Sequence, residues 1–156
     1  MKLSSANINV MVNACRKASK HIIRDFGEIE KLQVSKKGPG DFVTKTDKKV
    51  ESIIIEELEK ARPDYGFIAE ESGKNINDNE FNWVIDPIDG TSNFMHGIPH
   101  FAISIALEKK GEVISGIICD PIKNETFYAE KGRGSYVNNR RIRVSSRKNL
   151  DEIIGL

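Results

Sequence analysis

Apolar residues recur at intervals of three and four from Ile8 onwards: Ile8, Met11, Val12, Cys15, Ala18, Ile22 and Phe26, with Gly27 directly after the last. That period places them on one face of a helix, so residues 5–26 are predicted to form an amphipathic helix stopped by the glycine. Lys17, Lys20, His21 and Arg24 fall off the stripe and read as its solvated side. Residues 31–35 alternate and suit a strand, and Lys36-Lys37-Gly38-Pro39-Gly40 has the composition of a loop. A second helical stripe follows in Val50, Ile53, Ile54, Leu58 and Ala61, ended by Pro63. Thr44 and Asp47, just ahead of it, have the spacing of a capping box at the helix start. A catalytic role for Asp47 is compatible with the same position if that helix start faces a site.

Beyond Pro63 the pattern shortens. Phe67-Ile68-Ala69 and Trp83-Val84-Ile85 are brief β-forming runs, and the polar stretch 73–82 between them reads as a surface loop. Phe101, Ile103, Ile105 and Leu107 then alternate with Ala102, Ser104 and Ala106, a strand with one bulky and one small face. Apolar runs recur at 113–119, 126–129, 135–137 and 142–144, separated by Lys110-Gly111, Lys123-Asn124, Gly132-Arg133-Gly134 and Asn138-Asn139. Such spacing predicts an antiparallel meander. Two helices followed by a run of strands give an α+β class, with the helices on one face of the sheet. The final Ile153-Ile154-Gly155-Leu156 is apolar with no cap or turn behind it, which reads as an element cut short.

Composition narrows the picture little. The 156 residues suit one domain, residues 1–156 taken together. A formal net charge of +1 supplies no global field to recruit nucleic acid or a membrane surface. Cys15 and Cys119 lie far apart in apolar surroundings and read as small buried hydrophobes rather than a disulfide framework, which fits a reducing cytoplasm. Nowhere do about eighteen apolar residues stand in succession, and the first residues lack the pattern of an export signal.

The chemistry concentrates in Trp83-Val84-Ile85-Asp86-Pro87-Ile88-Asp89-Gly90-Thr91-Ser92-Asn93. Here a strand ends and a helix begins, so Asp86, Asp89 and the Ile88 carbonyl between them can converge on one point, as a hard cation requires. The N–H groups of Gly90, Thr91 and Ser92 then open a helix, where unpaired donors favour an anion. Glu70 ends the strand at Phe67-Ile68-Ala69 just as Asp86 ends its own, which makes it a third candidate oxygen ligand. His96 and His100 stand nearby without zinc spacing and read as surface or packing residues, so the oxygen-only set favours magnesium or manganese. Cations beside an anion site fit hydrolysis of a phosphate monoester, with Thr91 holding the attacking water and Asp47 taking its proton.

Three segments in order, Asp41-Phe42-Val43-Thr44-Lys45-Thr46-Asp47, Phe67-Ile68-Ala69-Glu70-Glu71-Ser72 and Trp83 through Phe94, resemble the inositol monophosphatase family of magnesium-dependent, lithium-sensitive phosphatases. The continuation Pro99-His100-Phe101-Ala102-Ile103-Ser104-Ile105 and the region of Gly132 to Asn138 look most like its bacterial extragenic-suppressor (SuhB) branch. The resemblance implies a layered sugar-phosphatase fold, a homodimer and a phosphorylated polyol substrate, most simply inositol 1-phosphate. Glu70, Asp86, Asp89 and the Ile88 carbonyl would bind two or three magnesium ions, or manganese. Asp89, Gly90, Thr91 and Ser92 would hold phosphate, Asp47, Thr91 and Glu70 would carry catalysis, and Glu71 and Asp41 would stand behind the ligands. Complete family members continue into a second α/β domain that supplies a further metal-binding Asp, and no residue here corresponds to it. Other branches act on fructose bisphosphate, histidinol phosphate or adenosine bisphosphate. The suppressor branch also implies a regulatory alternative, binding of RNA polymerase or RNA, for which Lys131, Arg133, Arg140, Arg141, Arg143, Arg147 and Lys148 are the local cations.

Overall fold

A computed structural model describes residues 5–32, 39–76, 80–147 and 149. Helix α1 (Ala6–Phe26) begins where Ser5 Oγ accepts the Ile8 N–H at 3.3 Å, and it buries Ile8, Met11, Cys15, Ala18 and Ile22 as the three-and-four spacing requires. A single turn, α2 (Ile29–Leu32), follows, so Lys31 and Leu32 are helical where a strand was predicted. Ile29 explains the difference, because it buries completely and pins that turn into the core. Residues 33–38, which carry the rest of the predicted strand and most of the predicted loop, lie outside the described residues.

Helix α3 (Pro39–Ala61) starts earlier than the second stripe suggested. Proline is well suited to a first turn, since its missing N–H would have no intrahelical partner there. Thr44 and Asp47 therefore sit inside the helix and form no capping box. Thr44 Oγ1 instead donates to the Gly40 carbonyl at 3.1 Å, one turn back. Val43, Val50, Ile54 and Leu58 bury against α1 and the sheet. The Lys17–Glu57 ion pair at 2.6 Å and the bond from Arg62 Nε to Asn7 Oδ1 at 3.1 Å fasten the two helices at their rims.

The strands β1 (Gly66–Ala69), β2 (Gly73–Asn75), β3 (Phe81–Asp89), β4 (Ala102–Lys109), β5 (Glu112–Asp120), β6 (Glu125–Glu130), β7 (Gly134–Val137) and β8 (Arg140–Ile142) form one sheet in the order β2-β1-β3-β4-β5-β6-β7-β8. From β4 to β8 it is the expected antiparallel meander, and β3 joins it antiparallel to β4. Part of the predicted polar loop is strand, since Gly73–Asn75 folds back on β1 and β3 already begins at Phe81. A short helix, α4 (Thr91–Met95), follows β3. The bulky residues Ile103, Ile105 and Leu107 face the helices and are fully buried, while Ile118 and Phe127 lie exposed on the opposite face. Among the described residues no helix is long and apolar enough to cross a membrane.

One exception to the antiparallel order builds the site. β1 and β3 run parallel and their pairing stops at Ala69 opposite Ile85, so Glu70, just past β1, and Asp86, further along β3, come side by side. On its other edge β3 pairs Asp86 with Ser104 and Asp89 with Ala102 across a register shift. The extra residue lies at Pro87-Ile88, where proline has no N–H to give the ladder, and the resulting bulge turns the strand end outward.

Candidate carboxylate centre

Helix α3, the turn between β1 and β2, and β3 bring acids together where the pairing of β1 with β3 stops. Asp47 comes from α3 and is buried, with 6% of its surface exposed. Its Oδ1 is enclosed and has no hydrogen-bond partner. Burial, reinforced by the charges of Glu71, Glu70, Asp86 and Glu51, pushes this carboxyl up to about 7. Asp86, half-buried within β3 just ahead of the bulge, likewise keeps an enclosed Oδ1 without a partner. Burial raises it to about 6, helped by the charge of Glu70 and a hydrogen bond to it and by Asp89, against a lowering contribution from the Ile88 backbone. Glu70, Glu71 and Asp89 are exposed around these two.

The turn that carries Glu70 is fastened from α3. Glu51, 1% exposed, accepts the backbone N–H groups of Glu71 and Ser72, each at 2.8 Å, and the Ser72 hydroxyl as well. Three donors offset the burial of that carboxylate and fix the loop between β1 and β2 to the helix. A second tie lies on the other side of Asp47: Thr46 Oγ1 donates to the buried Asp25 Oδ2 at 2.9 Å, and Arg24 Nε holds the other oxygen of Asp25 at 2.8 Å. Neither Glu51 nor the Asp25–Thr46 pair was anticipated. The signal for Glu51 was present, because a glutamate lies beside Val50 and four residues from Asp47 on a face otherwise kept apolar.

At the far side of β3, Gly90 adopts φ +93° and caps α4. A Cβ there would lie 3.1 Å from the His100 carbonyl and 3.3 Å from Phe101 Cα, so glycine is required by conformation and by space. Thr91 Oγ1 donates to the Ile88 carbonyl at 2.9 Å, the oxygen predicted as a ligand, rather than to Asp47. Asp41 is exposed in the first turn of α3. His96 and His100 are exposed, with His96 Nδ1 2.7 Å from the Ser92 carbonyl. Of the predicted residues, the structure therefore gathers Asp47, Glu70, Glu71, Asp86 and Asp89, and sets Gly90, Thr91 and Ser92 at the following turn.

Among the described residues no three acidic, histidine or cysteine side chains are drawn together tightly enough to hold a metal ion as they stand. The donor set nonetheless fits a hard cation. It is all oxygen, two of its oxygens are enclosed without a donor, and its members raise one another's protonation.

Residues 5–156 match the model of the inositol monophosphatase family. The chain is 54% identical over 154 residues to an inositol-1-monophosphatase of Rhizobium meliloti (strain 1021), covering 97% of this chain and 58% of that protein. It is 44% identical over 144 residues to Nus factor SuhB of Vibrio cholerae serotype O1, covering 92% of this chain and 54% of that one. Its fold is similar to the crystal structure of extragenic suppressor protein suhB from Bartonella henselae, with a TM-score of 0.83 at 47% identity, over 95% of this chain and 58% of the other. The chain thus spans a little over half the length of these relatives. The motif-bearing acids, the strand ends that unite them and the match along almost the whole sequence agree, and the chain belongs to the inositol monophosphatase family.

Proposed function

We propose that this chain is the N-terminal part of a magnesium-dependent phosphomonoesterase that hydrolyses inositol 1-phosphate. The observation that carries the reading is the pair of enclosed, donorless oxygens, Asp47 Oδ1 on α3 and Asp86 Oδ1 where the pairing of β1 with β3 stops. Such oxygens are costly to bury unless a ligand brings positive charge or a proton to them. Glu70, Asp86, Asp89 and the Ile88 carbonyl would hold the magnesium ions. When bound, they would neutralise phosphate oxygens and acidify water.

The remaining roles belong to the chain itself. Thr91 commits its hydroxyl hydrogen to the Ile88 carbonyl, which leaves its lone pairs to accept a hydrogen bond from water. That water is held with its other hydrogen free, and Asp47 Oδ1 takes the proton as the water attacks phosphorus. The N–H groups of Thr91 and Ser92, at the turn that opens α4, would offer donors to the phosphate. The test is phosphate release from inositol 1-phosphate by the protein at the length its source cell makes it. Release should require magnesium and fall by about three orders of magnitude in Asp89→Asn, with the fold unchanged by circular dichroism. Release that persists without a divalent ion, or near-normal release by the variant, would overturn the assignment.

A second reading, a regulatory protein binding RNA polymerase or RNA, is favoured by relatives bearing the name Nus factor. Locally the support is thin. Lys131 is paired with Glu112 and Arg133 with Glu130, which leaves Arg140, Arg141, Arg143 and Arg147 as an exposed basic strip. Affinity for RNA that falls steeply with salt would establish it.

A further inference from the structure

Cys15 and Cys119 read from the sequence as two unrelated buried hydrophobes, and the fold makes them neighbours. Cys15 faces inward from α1 and is 1% exposed, while Cys119 lies near the end of β5 and is 8% exposed. α1 packs directly on β5, and the two thiols interact across that contact. Ser19, one helical turn beyond Cys15, brings its Oγ within 3.9 Å of Cys119 Sγ, and Thr126 Oγ1 approaches the same sulfur from β6 at 3.6 Å. The two sulfurs differ in access. Cys119 forms part of the wall of a partly open pocket of about 410 Å³, shared with Arg16 and Lys20 of α1 and Asp120 of β5, and Cys15 is not in that wall.

We propose that Cys119 and Cys15 are a peroxide-responsive dithiol, with Cys119 the attacking and Cys15 the resolving sulfur, closing to a disulfide between α1 and β5. The Cys119 thiolate attacks one oxygen of hydrogen peroxide, forming an S–O bond while the O–O bond breaks and the departing hydroxide becomes water on protonation. Cys15 Sγ then attacks the sulfenic sulfur. The S–S bond forms, the S–O bond breaks, and the second hydroxide leaves with the Cys15 proton as water. Two thiols and one peroxide thus give one disulfide and two waters.

The surroundings suit that division of labour. Hydrogen bonds from Cys15, Thr126 and Ser19 hold the Cys119 thiol below the ordinary range, against its burial and the charge of Asp120. Burial, with the contact to Cys119, pushes Cys15 up. Arg16 and Lys20, at the mouth of the pocket, add positive charge where an anionic sulfur would form. None of the residues assigned to the carboxylate centre lines that pocket, and the thiol chemistry uses none of them, so this proposal does not depend on the phosphatase reading.

The experiment treats the reduced chain with dilute hydrogen peroxide, alkylates remaining thiols after denaturation and digests for mass spectrometry. Both thiols should disappear together, with the loss of two hydrogens and a peptide pair joining Cys15 to Cys119 that dithiothreitol separates. In Cys15→Ser, Cys119 should accumulate as a sulfenic acid that a dimedone probe captures. In Cys119→Ser, loss of the Cys15 thiol should slow by roughly tenfold or more, since its direct path to peroxide is closed. The unsubstituted chain decides the question even if a variant folds poorly. Two free thiols after treatment, a linkage between molecules only, or overoxidised Cys119 beside an intact Cys15 would each overturn the proposal.

Discussion

Asp47 and Glu51 lie one turn apart on the same face of α3 and are 6% and 1% exposed, yet Glu51 has three donors while Asp47 Oδ1 has none. Burial alone does not separate a structural carboxylate from a functional one. The difference lies in what meets the oxygens. Glu51 faces the backbone of the β1–β2 turn, where N–H groups are plentiful, and Asp47 faces Glu70, Glu71 and Asp86, which are acceptors like itself. The first arrangement is complete within the chain, and the second is complete only with a proton or a cation.

The largest expected effect breaks the satisfied member. Glu51→Ala leaves two backbone N–H groups and a hydroxyl without their acceptor, at a cost of about 3 kcal/mol and a fall in Tm of about 10 °C. Glu51→Gln keeps one acceptor oxygen and should fall between. Thermal unfolding followed by circular dichroism checks both, and an unchanged Tm in Glu51→Ala would mean that the turn holds Glu70 without the helix.

A smaller effect of opposite sign is expected at Asp47. Asp47→Asn in magnesium-free buffer at pH 8 should raise stability by about 1 kcal/mol, a figure reduced for solvent screening of the exposed partners. The same substitution should shrink any rise in Tm that magnesium gives the unsubstituted protein. Loss of stability in both buffers would make Asp47 a second structural acid. The pH dependence sharpens the point. Folding raises Asp47 from 3.8 to about 7 and Asp86 from 3.8 to about 6, so the folded state keeps protons that the unfolded chain has released. Their contribution is present below about pH 4 and is lost as pH rises to about 7. The difference in Tm between Asp47→Asn and the unsubstituted chain should therefore widen across that interval, and a flat difference would show that Asp47 is not held protonated.

How far the sequence discloses this contrast depends on the range of the forces involved. The stripe of α1 and the meander from β4 to β8 were legible because period and turn chemistry are local. Asp86, Asp89 and Glu70 were legible as candidate ligands at or near strand ends, and the parallel pairing of β1 with β3 sets Glu70 beside Asp86. The early start of α3 was hidden, because Gly38-Pro39-Gly40 has loop composition while proline is equally at home in a first turn. The meeting of Cys15 with Cys119, and of Glu51 with the N–H groups of Glu71 and Ser72, depends on tertiary packing that no local pattern encodes. The orphaned oxygen of Asp47 belongs to the same group, since only the fold shows which acids lack donors.

The smallest effect lies further along the same helix, where Glu56 and Glu57 meet a lysine instead of an amide or another acid. Lys60 Nζ stands 2.6 Å from Glu56 Oε1 and 3.4 Å from Glu57 Oε1, with its side chain 61% exposed. Its hydrogen bond to Glu56 lowers that carboxyl, the reverse of the shift at Asp47. Distances this short would suggest a strong contact if distance were the criterion. Water solvates the ions with or without the pair, however, and salt screens what remains. Glu57 also keeps its bond to Lys17 of α1 when Lys60 is removed. Lys60→Ala should therefore leave Tm within experimental error at physiological salt, and only a slight fall should emerge at low salt. A loss rivalling that of Glu51→Ala would mean that enclosure from solvent is not what distinguishes the carboxylates of α3, and the orphaned oxygens of the carboxylate centre would lose their claim to mark a ligand site.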